Sequence, residues 1–140
     1  MTINEQNSRF VIIVQIKNRK SKTVTQEFAK LLNKQPQYLR KTMTYDNGME
    51  MANHKWLSEN TGIEVFFAHP YSSWERGTNE NTNGLIRRFF PKGTDFNNIT
   101  NRQLEQAQNN LNNRPRKVLG FKTPAEKMNQ EIDKGIYAQA

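Results

Sequence analysis

Lys41-Thr42-Met43-Thr44-Tyr45-Asp46-Asn47-Gly48 is the stretch from which the fold is read. Polar and apolar residues alternate up to Asp46, the pattern of a half-buried strand, and Asn47-Gly48 is a turn signal that stops it. Asp46 is thereby left at a strand end, where ligands of α/β sheets tend to gather. A second acid, Glu80, lies in Trp74-Glu75-Arg76-Gly77-Thr78-Asn79-Glu80-Asn81-Thr82-Asn83-Gly84-Leu85-Ile86-Arg87-Arg88, which reads as a helix entering from a glycine-containing turn, with 33 residues between the two acids. Carboxylates on a strand end and on a facing helix suit Mg²⁺, which takes hard oxygen ligands and keeps several waters. Read singly, an Asp before Asn-Gly is also a turn former, and Glu80 is also a first-turn acid favoured by the helix dipole.

The flanking sequence reads as further strands and helices. Phe10-Val11-Ile12-Ile13-Val14-Gln15-Ile16 is a continuous, largely β-branched run of strand length, with Thr2-Ile3 as the stub of another strand and Asn7-Ser8 as the turn between them. Residues 21–34 predict a helix capped by Ser21 or Thr23, with Val24, Phe28, Leu31 and Leu32 on one apolar face. Residues 51–60 predict a second helix closed by Gly62, and 62–68 a strand broken by His69-Pro70-Tyr71. Helices follow over 78–90 and 100–113, separated by a turn at Pro91-Lys92-Gly93-Thr94-Asp95. The Leu104, Ala107 and Leu111 stripe of the second of these is expected to be core. Beyond a basic break at Arg114-Pro115-Arg116-Lys117 come a short capped helix from Thr123 and a loose tail. The element order is that of an α/β domain, expected over residues 1–128, with 129–140 as the tail.

A chain of 140 residues is long enough for one domain with a core. Its 21 Lys and Arg stand against 13 Asp and Glu, a net charge of +8. That balance favours a polyanion, nucleic acid before membrane, because the basic residues are spread along the chain. A merely basic soluble protein has the same count. The absence of cysteine excludes disulfides and thiolate metal sites. His54 and His69 have no partner at metal-ligand spacing, so no zinc site is expected and surface or turn roles are assigned to them. No apolar run approaches the roughly 20 residues needed to span a bilayer, and no signal-peptide pattern opens the chain, so a cytoplasmic protein without membrane association is expected.

Glu80, Asn83, Gly84 and Arg87 recur at i, i+3, i+4 and i+7 and share one helix face. A carboxylate, an amide, a bare backbone and a cation along one stripe suit a metal-bound phosphate backbone. Arg88, Lys92, Arg114, Arg116 and Lys117 add positive charge for DNA, the alternative for each being a solvated surface group. Trp74 beside Arg76 suits either stacking on a base or anchoring its own loop.

With those residues in view, the chain resembles the C-terminal part of an IS30-family transposase, of the retroviral-integrase-like, RNase H-fold "DDE" group. The resemblance is carried by Thr44 to His54, by His69 to Asp95, and by Leu111-Asn112-Asn113-Arg114-Pro115-Arg116-Lys117-Val118-Leu119-Gly120-Phe121-Lys122-Thr123-Pro124, and it extends from Thr2 to Met128. It implies an integrase-core mixed sheet with flanking helices. It also implies that Asp46 and Glu80 are catalytic and metal-binding, with Mg²⁺ or Mn²⁺ as cofactor, and that the intact relative hydrolyses and transfers DNA strands. Glu75, close to Glu80, falls where relatives carry a non-acidic residue.

The family's first catalytic Asp lies on the first strand of the domain, upstream of Met1, whereas Asp46 is the first Asp here and Glu5 the only acid before the Phe10 strand. The resemblance therefore predicts an N-terminally truncated core lacking its central first strand and the helix-turn-helix region that reads transposon ends. On that expectation strand 10–16 is left with an unpaired edge prone to aggregation. Metal binding is weakened, and the chain alone transfers few or no strands. Glu50, four residues past Asp46, and Glu75 are the remaining acids that would complete a metal site. The alternative is a catalytically inactive remnant that binds DNA through phosphate contacts with steep salt dependence, or joins an intact transposase or a second copy. An unfolded product without function is the third reading.

Overall fold

β-Branched residues favour a pleated surface over a helix, and Val11, Ile12 and Ile13 form a strand that pairs with the chain's first residues. In the computed structural model, which describes residues 1–45, 48–69 and 77–139, β1 (Thr2–Asn4) and β2 (Val11–Ile13) are antiparallel with Ile3 opposite Ile12. Backbone hydrogen bonds prolong the ladder, with Met1 and Val14 exchanging a pair and Glu5 N donating to Phe10 O. The Glu5 carboxylate ties the intervening turn, accepting from Ser8 N and Ser8 Oγ, both at 2.6 Å. The strand expected over 10–16 is therefore only three residues long by its ladder.

Two compact units divide the chain. The first takes in Met1–Gln15 and Gly77–Ala140. It contains β1, β2 and the helices α3 (Gly77–Ile86), α4 (Asn101–Asn112) and α5 (Pro124–Gln139). Its core is Val11, Ile86, Phe90, Leu104, Ala107 and Leu111, with Ile13, Leu85 and Ile99 packed against them. The expected α4 stripe is thus core. The second unit, Ile16–Arg76, contains α1 (Ser21–Asn33), β3 (Thr42–Tyr45), α2 (His54–Thr61) and β4 (Glu64–Phe67). β3 and β4 are parallel, Thr42 facing Glu64 and Tyr45 facing Phe67. Val24, Phe28 and Leu32 of α1 are buried with Leu57 of α2, and the Phe28 ring meets Tyr45 edge-on at 5.9 Å. Leu31, expected on the same apolar face, is only half-buried.

Of the expected mixed sheet, the described strands show an antiparallel pair, β1 and β2, in the first unit and a parallel pair, β3 and β4, in the second. The edge of β2 is not open as expected. Val11 N donates to Asn112 Oδ1 and Asn112 Nδ2 donates to Val11 O, each at 2.8 Å, and Ile13 N donates to Gln108 Oε1 at 2.9 Å. Gln108 and Asn112 are one helical turn apart, a rise close to the two-residue repeat of a strand, so side-chain amides of α4 complete the ladder. The edge predicted to promote aggregation is closed along Val11 and Ile13.

Helix ends show where local signals held. α2 ends at Gly62 in the left-handed conformation (φ 71°), as a glycine stop requires. α1 starts one residue after Lys20 with no side-chain cap; Ser21 Oγ instead accepts from Asn53 N of the following connection. α3 ends at Ile86 rather than Phe90. Its last turn tightens, with Arg88 N donating to Leu85 O, because Pro91 bars helical geometry at the residue before it. The segment 129–139, expected to be loose, continues α5. Thr123 and Glu126 form a reciprocal cap, and Lys127 and Lys134 both reach Glu131.

α4 opens on a full capping box: Gln103 N donates to Thr100 Oγ1 at 3.2 Å and Thr100 N to Gln103 Oε1 at 2.8 Å. Thr100→Ala is expected to lower stability by about 1 kcal/mol in urea denaturation, because one amide of the first turn loses its acceptor. An unchanged midpoint would mean that water replaces the cap.

Candidate functional site

α3 sorts its residues by face. Thr82, Ile86 and Phe90, spaced by four, are buried, and Glu80, Asn83, Gly84 and Arg87 are exposed. The stripe read from the sequence therefore lies on the solvent side. Arg87 is just past the helix end, yet its N–H donates to Asn83 O at 3.0 Å, so it continues the same spiral. Glu80 occupies the first turn and forms no ion pair with a described residue. Among the described residues, nothing beyond its chain neighbours and its own helix backbone lies within 4 Å of the place a Cβ at Gly84 would take. A glycine inside a helix costs about 1 kcal/mol relative to alanine, and no packing requirement accounts for it here.

Of the other predicted cations, Arg88, Lys92, Arg114 and Lys117 are exposed and make no ion pair with a described residue. Arg116 is different. It is half-buried, its Nη2 donates to Leu111 O at 3.4 Å, and its Nε is buried without a hydrogen-bond partner among the described residues. Burial, and then the neighbouring Arg114, push the Arg116 guanidinium below its usual pKa. Its role in the structure is to hold the end of α4.

Asp46 and Asn47 lie outside the described residues, as do Trp74, Glu75 and Arg76. β3 is described as far as Tyr45, and the strand end expected at Asp46 and Asn47 lies outside the described residues. Glu50 sits half-buried in the turn Met49–Met51. Glu5 is committed to its own turn through Asn7 N and Ser8. Among the described residues no three His, Asp or Glu side chains lie close enough together to share one ion. His54 packs its ring edge-on against Phe67 at 5.0 Å. No described helix is long and apolar enough to cross a membrane.

Two groups of residues escaped the sequence reading. One is Gln108 and Asn112, which address β2 and not solvent. The other is Val118, Phe121 and Lys122 in the loop after α4, where Gly120 followed by an aromatic among cations was the available signal.

Comparison with known proteins places this arrangement. No family model matches the chain. The fold is that of the retroviral integrase catalytic core: the catalytic core domain of BIV integrase superposes with a TM-score of 0.73 at 22% identity, covering 95% of this chain and 87% of that one. The sequence goes further. It is 46% identical over 125 residues to the transposase InsI of insertion sequence element IS30A from Escherichia coli (strain K12), covering 89% of this chain and 33% of that protein. It is 43% identical over all 140 residues to the transposase of insertion sequence element IS4351 from Bacteroides fragilis, 43% of whose length it covers. Over this shared region the chain is similar to the transposases of these insertion sequence elements. It spans well under half the length of these relatives.

Proposed function

We propose that this chain carries part of a DDE-type DNA transposition centre, with Asp46 and Glu80 as its metal-binding, catalytic carboxylates and DNA as substrate. The reading rests on one observation above others. In a chain so similar to transposases, Glu80, Asn83, Gly84 and Arg87 form a solvent-facing stripe whose glycine has no packing reason. The donor set fits a hard divalent ion, since both acids offer carboxylate oxygens and Glu80 is exposed without a described ion pair. When bound, Mg²⁺ or Mn²⁺ supplies the Lewis acidity that phosphodiester cleavage needs. Asn83 offers an amide to a phosphate oxygen, Arg87 a two-pronged guanidinium, and Gly84 the clearance for the backbone to approach. Arg88, Lys92, Arg114 and Lys117 hold flanking phosphates, with Arg116 behind them. In the cell this activity belongs to the cytoplasm, and assembly with a second copy or an intact transposase is part of the reading.

A second reading, DNA binding without strand transfer by this chain alone, is favoured by the chemistry of the acids. The Glu5 carboxylate, between β1 and β2, is bound into its own turn by Ser8 and is not free to join the pair. Expected for the purified chain are duplex binding with a log K against log salt slope of about −4 to −5, from five exposed cations, and little nicking of supercoiled DNA with Mn²⁺. Nicking that is lost in both Asp46→Asn and Glu80→Gln would place catalysis in this chain. Folded protein that fails to bind duplex even at low salt would refute both readings.

A further inference from the structure

The loop joining α4 to α5 contains no acid; none occurs between Glu105 and Glu126. It is closed on itself by main-chain hydrogen bonds. Arg116 N donates to Lys122 O at 3.0 Å, Phe121 N donates to Arg116 O at 2.9 Å, and Lys117–Leu119 form a single tight turn between them. To close, Gly120 and Phe121 take consecutive left-handed conformations, φ 63° and 65°. Glycine adopts that geometry freely, but for a phenylalanine it is strained. The strain is not offset by burial, since Phe121 is 71% and Val118 69% exposed. The fold thus leaves two apolar side chains in water, with Arg114, Lys117 and Lys122 exposed on the same loop.

Two apolar side chains exposed on one short loop offer a contact surface for a partner. The surrounding charge selects what that is. Three cations on the loop, with Glu126 at its far end committed to the Thr123 cap, repel a basic partner and attract a polyanion, and a polyanion that also offers apolar surface is DNA, at its base steps and sugars. The loop's main-chain hydrogen bonds fix its backbone, so less backbone freedom is lost on binding.

We propose that Val118 and Phe121 form an apolar wedge that enters the minor groove of duplex DNA at a base step, while Arg114, Lys117 and Lys122 grip the flanking phosphates. The proposal rests on the reading that the chain binds DNA, and its test separates the two. The full-length chain is titrated into a short duplex carrying a fluorescent adenine analogue that brightens on unstacking. Phe121→Ala is expected to weaken binding about tenfold, to remove the brightening, and to leave the salt slope unchanged. Phe121→Asn, whose side chain tolerates the left-handed conformation, should behave in the same way, and circular dichroism on each variant verifies the fold. Lys117→Gln should do the reverse, reducing the slope by about one while the brightening persists. Duplex binding with wild-type affinity and brightening in Phe121→Ala would overturn the wedge and leave DNA binding intact. Absence of duplex binding by the wild-type chain would overturn both. A dimer in sedimentation that Phe121→Ala abolishes, with DNA affinity unchanged, would assign the tip to a second copy and overturn the wedge.

Discussion

Asn112→Ala is expected to lower the stability of the unit containing α4 by about 2–4 kcal/mol, read as a drop in the urea midpoint. Asn112 is only 4% exposed, and its amide makes both of its backbone contacts with one residue, Val11 N and Val11 O. Deleting it leaves an N–H and a C=O without partners beside a core residue, Val11, that is itself 1% exposed. Orphaned buried groups cost more than the net worth of the bonds that satisfied them. Asn110 supplies the control, because it is exposed on the same helix and has no such task; Asn110→Ala should change stability by no more than about 0.5 kcal/mol. Equal midpoints for the two variants would show that water can close the β2 edge as well as the helix does. The same experiment bears on solubility. If Asn112 and Gln108 are what cover the edge, Asn112→Ala should also aggregate at lower denaturant, since an unpaired strand edge is a template for other chains.

For Mn²⁺ binding, followed by water-proton relaxation, Asp46→Asn and Glu80→Gln are each expected to weaken affinity about 10–100-fold, while Glu105→Gln leaves it unchanged. All three substitutions remove one negative charge, so a general electrostatic effect would appear in all of them. Glu105 is exposed on α4 and makes no ion pair with a described residue, which makes it a fair comparison. If Glu80 is merely a first-turn acid that complements the dipole of α3, its substitution will alter helix stability slightly and leave Mn²⁺ binding untouched. That result, or an equal loss in Glu105→Gln, would remove Glu80 from the metal site. The two substitutions should also be non-additive, since residues that ligate one ion act together.

Much of this was legible in the residue order. Alternation over Thr42–Tyr45, the β-branched run at Val11–Ile13 and the Leu104, Ala107, Leu111 stripe each carry their own period, so the strands and the buried face of α4 follow from local pattern. The Gly62 stop is equally local. So is the sharing of one face by Glu80, Asn83, Gly84 and Arg87, which depends only on helical spacing.

Other features had no local signal. Ser21 is the first residue of α1 rather than its cap, and its hydroxyl accepts from Asn53 N, 32 residues away, a partner that only packing supplies. Arg116 stood in a basic cluster that suggested surface charge, and packing at the end of α4 drew it inward. The short helix expected from Thr123 runs on to Gln139, helped by ion pairs that weak helix propensity alone would not reveal.

The sequence by itself determined the α/β class, the order of elements, the family likeness and which side chains share a face, because periodicity and capping act over a few residues. Only the tertiary structure decided which described strands pair, β1 with β2 and β3 with β4, and that Asn112 seals β2 across a separation of 101 residues. It alone decided that Phe121 is held out in a left-handed turn. Those outcomes depend on which backbone hydrogen-bonding groups find partners, and such groups are the same at every residue but proline; their partners are chosen by packing.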